Sequence, residues 1–196
     1  MDAHLRNFLD ELYREGREFD AAQPDRLDRR RNLEPDSAAL LAVLVRAVRP
    51  KRLLELGTSN GYSTIWLADA ALSVEAEFTS VELDADRLKQ ARENLRTVGL
   101  GETVNFVAAD AGAELRAAPG GNWEMIFLDA ERPAYVSYWK DLVRTLTPGG
   151  LLVVDNVLSH ADQVAEFREL VSADERMTEA LSPTGAGLLL IVKRSD

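Results

Sequence analysis

The stretch Leu53-Leu54-Glu55-Leu56-Gly57-Thr58-Ser59-Asn60-Gly61-Tyr62-Ser63-Thr64 decides the fold. A strand-sized apolar run, Arg52–Leu56, stops at Gly57, and an Ala/Leu-rich helical segment, Thr64–Ala71, begins just past Gly61. Glycine at both ends of so short a loop lets the backbone turn sharply between strand and helix. The same alternation recurs downstream. Apolar runs at Phe78–Leu83, Val104–Ala108, Met125–Asp129 and Leu151–Asp155 are separated by amphipathic segments at Asp84–Val98 and Ala134–Leu146. Near-continuous apolarity, rather than strict alternation, marks strands covered on both faces. Strand–helix alternation of this kind predicts an α/β, doubly wound sheet with helices on both faces.

Outward from that core, two helices are expected ahead of the sheet, His4–Phe19 and Asp36–Val48, the second opened by Pro35 and closed by Pro50. A further helix is expected around Asp162–Val171. The segments Arg176–Leu181 and Leu188–Val192 flank Ser182-Pro183-Thr184-Gly185-Ala186-Gly187 and read as an antiparallel hairpin at the sheet edge. No solenoid repeat and no long linker divides the 196 residues, so residues 1–196 are expected to form a single domain, with 1–50 a helical cover and 51–196 the core. Lys and Arg total 23 against 33 Asp and Glu, a net charge of −10, which argues against nucleic acid as a partner because phosphate backbones reward basic surfaces. The chain has no cysteine, which removes disulfides, thiolate metal sites and thiol nucleophiles from consideration. No targeting signal or membrane-length apolar stretch is visible, so the expectation is a cytoplasmic protein away from the membrane.

Ligands of open α/β sheets bind at the carboxyl ends of the strands. Here those ends read Glu55-Leu56-Gly57, Glu82-Leu83-Asp84, Ala109-Asp110-Ala111, Asp129-Ala130-Glu131 and Asp155-Asn156, each with an acidic residue. The first loop has the spacing Gly-x-x-x-Gly. It lacks the Gly-x-Gly-x-x-Gly of dinucleotide sites and the Gly-Lys-Ser/Thr of a phosphate loop, so it suits a nucleoside ligand without a pyrophosphate. Glu55 repels phosphate but can receive an amino group, directly or through water. Glu82 lies 25 residues after Gly57, close to the offset at which a carboxylate accepts from both ribose hydroxyls. Asp110 reads equally as an acceptor for an adenine amino group or as the N-cap of a helix over Ala111–Ala117.

The runs Glu-Leu-Gly-x-x-x-Gly-Tyr-Ser, Val-Glu-Leu-Asp, Phe-Leu-Asp-Ala and Asp-Asn-Val resemble the cation-dependent O-methyltransferases of the catechol and caffeoyl-CoA type, within the class I S-adenosylmethionine-dependent methyltransferases. The resemblance runs from about Leu33 to Val192. It implies a Rossmann-like, seven-stranded sheet, mostly parallel with an antiparallel C-terminal strand. It implies S-adenosylmethionine as cofactor. Gly57, Gly61, Ser59 and Ser63 would line its methionine part, with Ser63 near the carboxylate and Asp129 nearby, Glu82 would bind the ribose, and Asp110 and Ala111 would meet the adenine. It also implies a small hydroxylated acceptor, a homodimer, and a divalent cation (Mg²⁺, Mn²⁺ or Ca²⁺) held by Asp129, Asp155 and Asn156. That all-oxygen set is chemically apt for a hard cation.

One position departs from the family. The third residue after the first metal aspartate is typically a lysine assigned as general base, and here it is Arg132. Arginine keeps its proton at any working pH and cannot be that base. Three alternatives follow. The cation alone acidifies the acceptor while Arg132 stabilises the oxyanion; His160 or Glu131 takes the proton; or Arg132 clamps a carboxylate or phosphate on the acceptor. Two readings from other classes stand beside the enzyme: a cofactor-binding protein that has lost or altered its catalysis, and, more weakly, an NAD-dependent oxidoreductase. The run Arg26, Arg29, Arg30, Arg31 reads as a solvated loop or as a basic patch at the site entrance. Among the aromatics, Tyr62, Tyr135 and Tyr138 are candidates for pocket walls, while Trp66 and Trp139 suit the core better.

Overall fold

The computed structural model describes residues 1–25 and 29–195. Its centre is one seven-stranded sheet in the order β3-β2-β1-β4-β5-β7-β6. The strands are β1 (Arg52–Leu56), β2 (Glu77–Glu82), β3 (Val104–Ala108), β4 (Trp123–Leu128), β5 (Leu146–Val154), β6 (Met177–Ser182) and β7 (Leu188–Lys193). The first five are parallel. β7 runs antiparallel to both β5 and β6, inserting between them, so the expected tail hairpin forms with its second strand on the inside.

The helices are α1 (Ala3–Ala22), α2 (Pro35–Val48), α3 (Tyr62–Val74), α4 (Ala85–Thr97), α5 (Ala111–Ala117), α6 (Tyr135–Thr145) and α7 (Ala161–Ala173). Their starts follow local chemistry. Asp2, Asp84 and Asp110 each cap a helix by accepting backbone N–H bonds, and Pro35 occupies the first turn of α2.

Because side chains alternate across a strand, the continuous runs split cleanly between two cores. Leu53, Met125, Phe127, Leu151 and Val153 face α1, α2 and α3. Leu54, Leu56, Ile126, Leu128, Leu152 and Val154 face α6 and α7. Each fully buried aliphatic or Phe side chain contributes roughly 1.5–3 kcal/mol through burial. α1 seats a stripe of Leu5, Leu9, Leu12 and Gly16 on the first core.

The expected boundaries need one revision of substance. β5 begins at Leu146, ahead of Pro148-Gly149-Gly150, rather than at Leu151. α6 does stop ahead of that triplet, at Thr145, but the chain passes directly into the strand, which contains it. The β4–β5 register slips between Trp123 and Met125, the kind of irregularity that accommodates extra residues in a ladder. Among the described residues no helix is long and apolar enough to cross a membrane.

Candidate functional site

A cavity of about 550 Å³ opens at the carboxyl ends of β1–β5. The sequence-predicted residues Gly57, Ser59, Ser63, Glu82, Asp110, Ala111, Asp129, Arg132, Asp155, Asn156 and His160 all line it, whereas Glu55 and Gly61 do not.

Glu55 corrects the expectation of a contact with a ligand amino group. It faces α3, not the cavity, and is wholly buried. Its Oε1 accepts from Ser63 Oγ at 2.7 Å, and its Oε2 accepts from Thr64 Oγ1 and Ser80 Oγ, both at 2.6 Å. Burial pushes its carboxyl up to about 7 despite those three hydroxyls. Glu55 therefore sits behind the wall and reaches the cavity only through Ser63.

Both loop glycines are demanded by packing against protein. Gly57 has φ +106°, and a Cβ there would strike the backbone carbonyl of Asp129 at the end of β4. Gly61, at φ +87°, is pressed by Ala91 and Leu95 of α4. The close backbone approach legible in the sequence is real, but what approaches is a neighbouring strand and helix.

Glu82 is pinned at the end of β2. The N–H of Ser59 donates to its Oε2 at 2.8 Å and the N–H of Asp84 to its Oε1 at 2.9 Å. Each carboxylate oxygen has a second lone pair, so the side chain is oriented yet still able to accept two hydroxyls. Asp110 does cap α5, taking the N–H of Ala113 at 2.8 Å, and also borders the cavity. Three residues here were not singled out by sequence reasoning. Asn60 is 3% exposed with both side-chain amide atoms lacking a partner; Leu83 is an exposed apolar side chain on the rim; Arg87 lines the same side. The exposed Leu following Glu82 was the one visible signal.

Across the cavity, Asp129 and Asp155 end β4 and enter the loop after β5. Asp155 is 1% exposed and its Oδ1 has no hydrogen-bond partner. The Asn156 Nδ2 donates to Asp129 Oδ1 at 3.3 Å and to Asp155 Oδ2, while its Oδ1 accepts from Ser159 Oγ at 3.2 Å. Asn156 takes a left-handed conformation, φ +66°, which asparagine tolerates. Burial first, then the Asp155 charge, pushes the Asp129 carboxyl well above the carboxylate range, with Arg31 and Arg132 pulling against it. Burial likewise raises Asp155.

Two carboxylates forced together in a dry site, one with an orphaned oxygen, fit a hard cation. Turning the Asn156 amide over would present its oxygen as the third donor, a change that leaves its shape intact. Among the described residues no cluster of three or more His, Cys, Asp or Glu is placed to hold a metal; this set is two carboxylates and an amide.

Arg132 opens a 3₁₀ turn, Arg132–Ala134, and is 4% exposed. Its Nε donates to Gln163 Oε1 of α7 at 3.0 Å. His160 precedes α7, with Nδ1 2.8 Å from Ser159 Oγ. Tyr62 and Tyr138 wall the cavity. Tyr135 is buried beneath it, donating to the Ala130 carbonyl at 3.0 Å. Trp66 and Trp139 pack into the two cores, as expected.

The basic run forms the near wall; Arg26 lies outside the described residues. The backbone N–H groups of Arg30 and Arg31 donate to the Asp20 carboxylate, and Ser59 Oγ donates to the Arg30 carbonyl. Arg31 pairs with Glu131. Residues 29–34 thus strap the cavity from the Ser59 side to the Glu131 side. Gly16 makes room for this strap, since a Cβ there would collide with Asn32.

Comparison with known proteins agrees with this architecture. A family model described as O-methyltransferase matches residues 6–194. A catechol O-methyltransferase of Niastella koreensis is 35% identical over 130 residues, which is 65% of this chain and 58% of that protein. The match to this relative thus spans less than two thirds of its length. A catechol O-methyltransferase of Mycobacterium tuberculosis is 31% identical over 148 residues, 76% of this chain and 67% of that one. Among solved structures, the O-methyltransferase TomG from Streptomyces achromogenes, in complex with SAM, superposes with a TM-score of 0.78 at 26% identity, covering 100% of this chain and 91% of TomG.

Proposed function

The chain belongs to the O-methyltransferase family, and from that premise we propose that it transfers the methyl group of S-adenosylmethionine to a hydroxyl of a small molecule, with a divalent cation assisting. The observation that carries the reading is one cavity with two chemically distinct halves: the pinned Glu82 on one side, and on the other the crowded pair Asp129 and Asp155, the latter with an orphaned oxygen.

S-adenosylmethionine supplies a methyl group already activated by a sulfonium, so the protein's task is alignment and exclusion of water. Glu82 would hold the ribose hydroxyls. Asp110, Ala111 and Leu83 border the place for an adenine. Ser63 gives its proton to Glu55 and so faces the cavity as an acceptor, which suits an ammonium better than the carboxylate expected there. Gly57, Ser59 and the unpartnered Asn60 complete the wall for the methionine tail.

Asp129, Asp155 and Asn156 would hold the cation. When bound, a hard divalent ion lowers the pKa of an acceptor hydroxyl and fixes its direction. The strap 29–34 and the aromatic rings of Tyr62 and Tyr138 keep the site dry. A homodimer and a small-molecule acceptor belong to the same proposal.

Titration calorimetry with S-adenosylhomocysteine tests the cofactor half, and a folded protein that does not bind it ends the proposal. The Asp155→Asn variant tests the other half. Methyl transfer to a catechol should fall at least about 100-fold, because several kcal/mol of charge stabilisation go with the carboxylate, while S-adenosylhomocysteine affinity stays within about threefold. Full activity after exhaustive chelation would refute the cation's role and leave the transfer standing. Arg132 favours a second reading, a protein that binds cofactor without turnover, since an arginine occupies the position of the base. Arg132→Lys separates the two: a large gain in transfer to catechol would show that the native chain has lost that chemistry.

A further inference from the structure

We propose that Arg132 makes this site select an acceptor that carries a carboxylate, gripped by the two terminal nitrogens of its guanidinium. The inference rests on the reading above that the cavity receives a methyl acceptor, and it names the chemical class of that acceptor.

Three observations converge. Arg132 is 4% exposed yet lines the cavity. Among the described residues its single hydrogen bond is made by Nε, to Gln163 Oε1 at 3.0 Å, and the two terminal nitrogens have no hydrogen-bond partner. The terminal nitrogens are not among the buried atoms left without a partner, so they open into the cavity, where an anion can meet them. The donor that Gln163 occupies also matters. With the Nε edge taken, the remaining edge presents two parallel N–H groups, the geometry that matches the two oxygens of a carboxylate.

The neighbouring cations are engaged elsewhere. Arg31 pairs with Glu131. Arg29 donates through Nε and a terminal nitrogen to the Gln23 carbonyl, at 3.1 and 3.0 Å. Arg30 stacks over the Phe19 ring at 4.4 Å. Charge also discriminates between anions. Glu34 and Glu82 line the same cavity outside the proposed cation ligands, so a singly charged carboxylate is tolerated there better than a doubly charged phosphate. A lysine at this position would offer a point charge rather than a planar edge. The departure from the family pattern therefore reads as a change of acceptor.

The test compares 3,4-dihydroxybenzoate with its uncharged methyl ester, titrated calorimetrically into protein saturated with S-adenosylhomocysteine and Mg²⁺. Both probes carry the same vicinal hydroxyls, and the change in their ratio on Arg132→Gln cancels the ester's effect on hydroxyl acidity and reports the carboxylate contact. The native protein should favour the acid about tenfold or more, as expected for charge-assisted hydrogen bonds. Arg132→Gln should bring the ratio near unity by weakening the acid and sparing the ester, and Arg132→Lys should fall between. Should Arg132→Gln misfold, Gln163→Leu keeps the test open. It removes the side chain that orients the guanidinium and should lower the ratio with S-adenosylhomocysteine affinity unchanged. Equal affinity for the two probes, binding of neither, or a ratio that survives both variants overturns the proposal. If S-adenosylhomocysteine does not bind, the same ratio is read in Mg²⁺ alone. A protein that prefers the acid but never methylates it refutes methyl transfer and leaves the carboxylate site intact.

Discussion

The two halves of the cavity differ in how their polar groups are satisfied. At the ends of β1–β3, Glu55 takes three hydroxyls, Glu82 takes two backbone N–H groups and Asp110 takes one. At the ends of β4 and β5, Asp155 keeps an orphaned oxygen, and Arg132 has two nitrogens with no hydrogen-bond partner among the described residues. Internally saturated groups are held in place before any ligand arrives. Groups left short are stable only if something from outside completes them. Apart from Asn60, whose two side-chain amide atoms lack a partner, the first half is thus a rigid mould, whereas the second is a set of donors and acceptors waiting for a partner.

That contrast can be broken at its seam, where the largest effect is expected. Gly57 is the point at which the first loop meets the end of β4. Gly57→Ala places a Cβ against the Asp129 carbonyl at φ +106°, so urea denaturation should show a loss of about 2–4 kcal/mol. A loss below about 1 kcal/mol would mean the two halves are not locked together there.

The rigidity of the mould carries a cost that pH exposes. Glu55 titrates near 7 in the folded chain against 4.5 when exposed. The folded protein therefore binds the proton more tightly than the unfolded one. The stabilisation is complete below about pH 4.5 and is lost as pH rises through 7, amounting to roughly 3 kcal/mol across the window. Glu55→Gln carries no charge to bury. Its Tm should fall less than that of the native protein between pH 5 and pH 8, and parallel declines would place the titrating group elsewhere.

A smaller effect sharpens the assignment of Glu82. Glu82→Gln keeps the size but surrenders one charged acceptor, so S-adenosylhomocysteine should bind about tenfold more weakly, with the affinity difference between acid and ester probes unchanged. A change in that difference would show that the halves communicate.

Much of this was legible before folding. β1, β3 and α5 occupy the predicted residues: β1 is buried along its length and leaves an apolar run, the half-exposed edge strand β3 is marked by Val104, Phe106 and Val107, and Asp110 marks a helix start. The acids at strand ends were legible because a parallel sheet directs every carboxyl end to one rim. Glu55 was misassigned because sequence position names the strand end but not the face. On an alternating strand Glu55 shares its side with Leu53, and that side is covered by α3. The start of β5 was misjudged because Pro148-Gly149-Gly150 reads as a stop, whereas a register slip lets the strand run through it. The strap 29–34 had no periodic signal at all, since it is held by isolated hydrogen bonds to Gln23, Asp20, Leu12 and Ser59.

By itself the sequence determined the α/β architecture, the rim on which chemistry gathers and the absence of a lysine at position 132, since each follows from local pattern or residue identity. Only the tertiary structure decided which of those polar groups are already satisfied. Glu55 finds Ser80, Arg132 finds Gln163 and Gly57 meets Asp129 across separations that no local propensity encodes. Whether a buried donor or acceptor has a partner is a property of packing in three dimensions, and that property separates the groups that hold the mould from those left to hold a ligand.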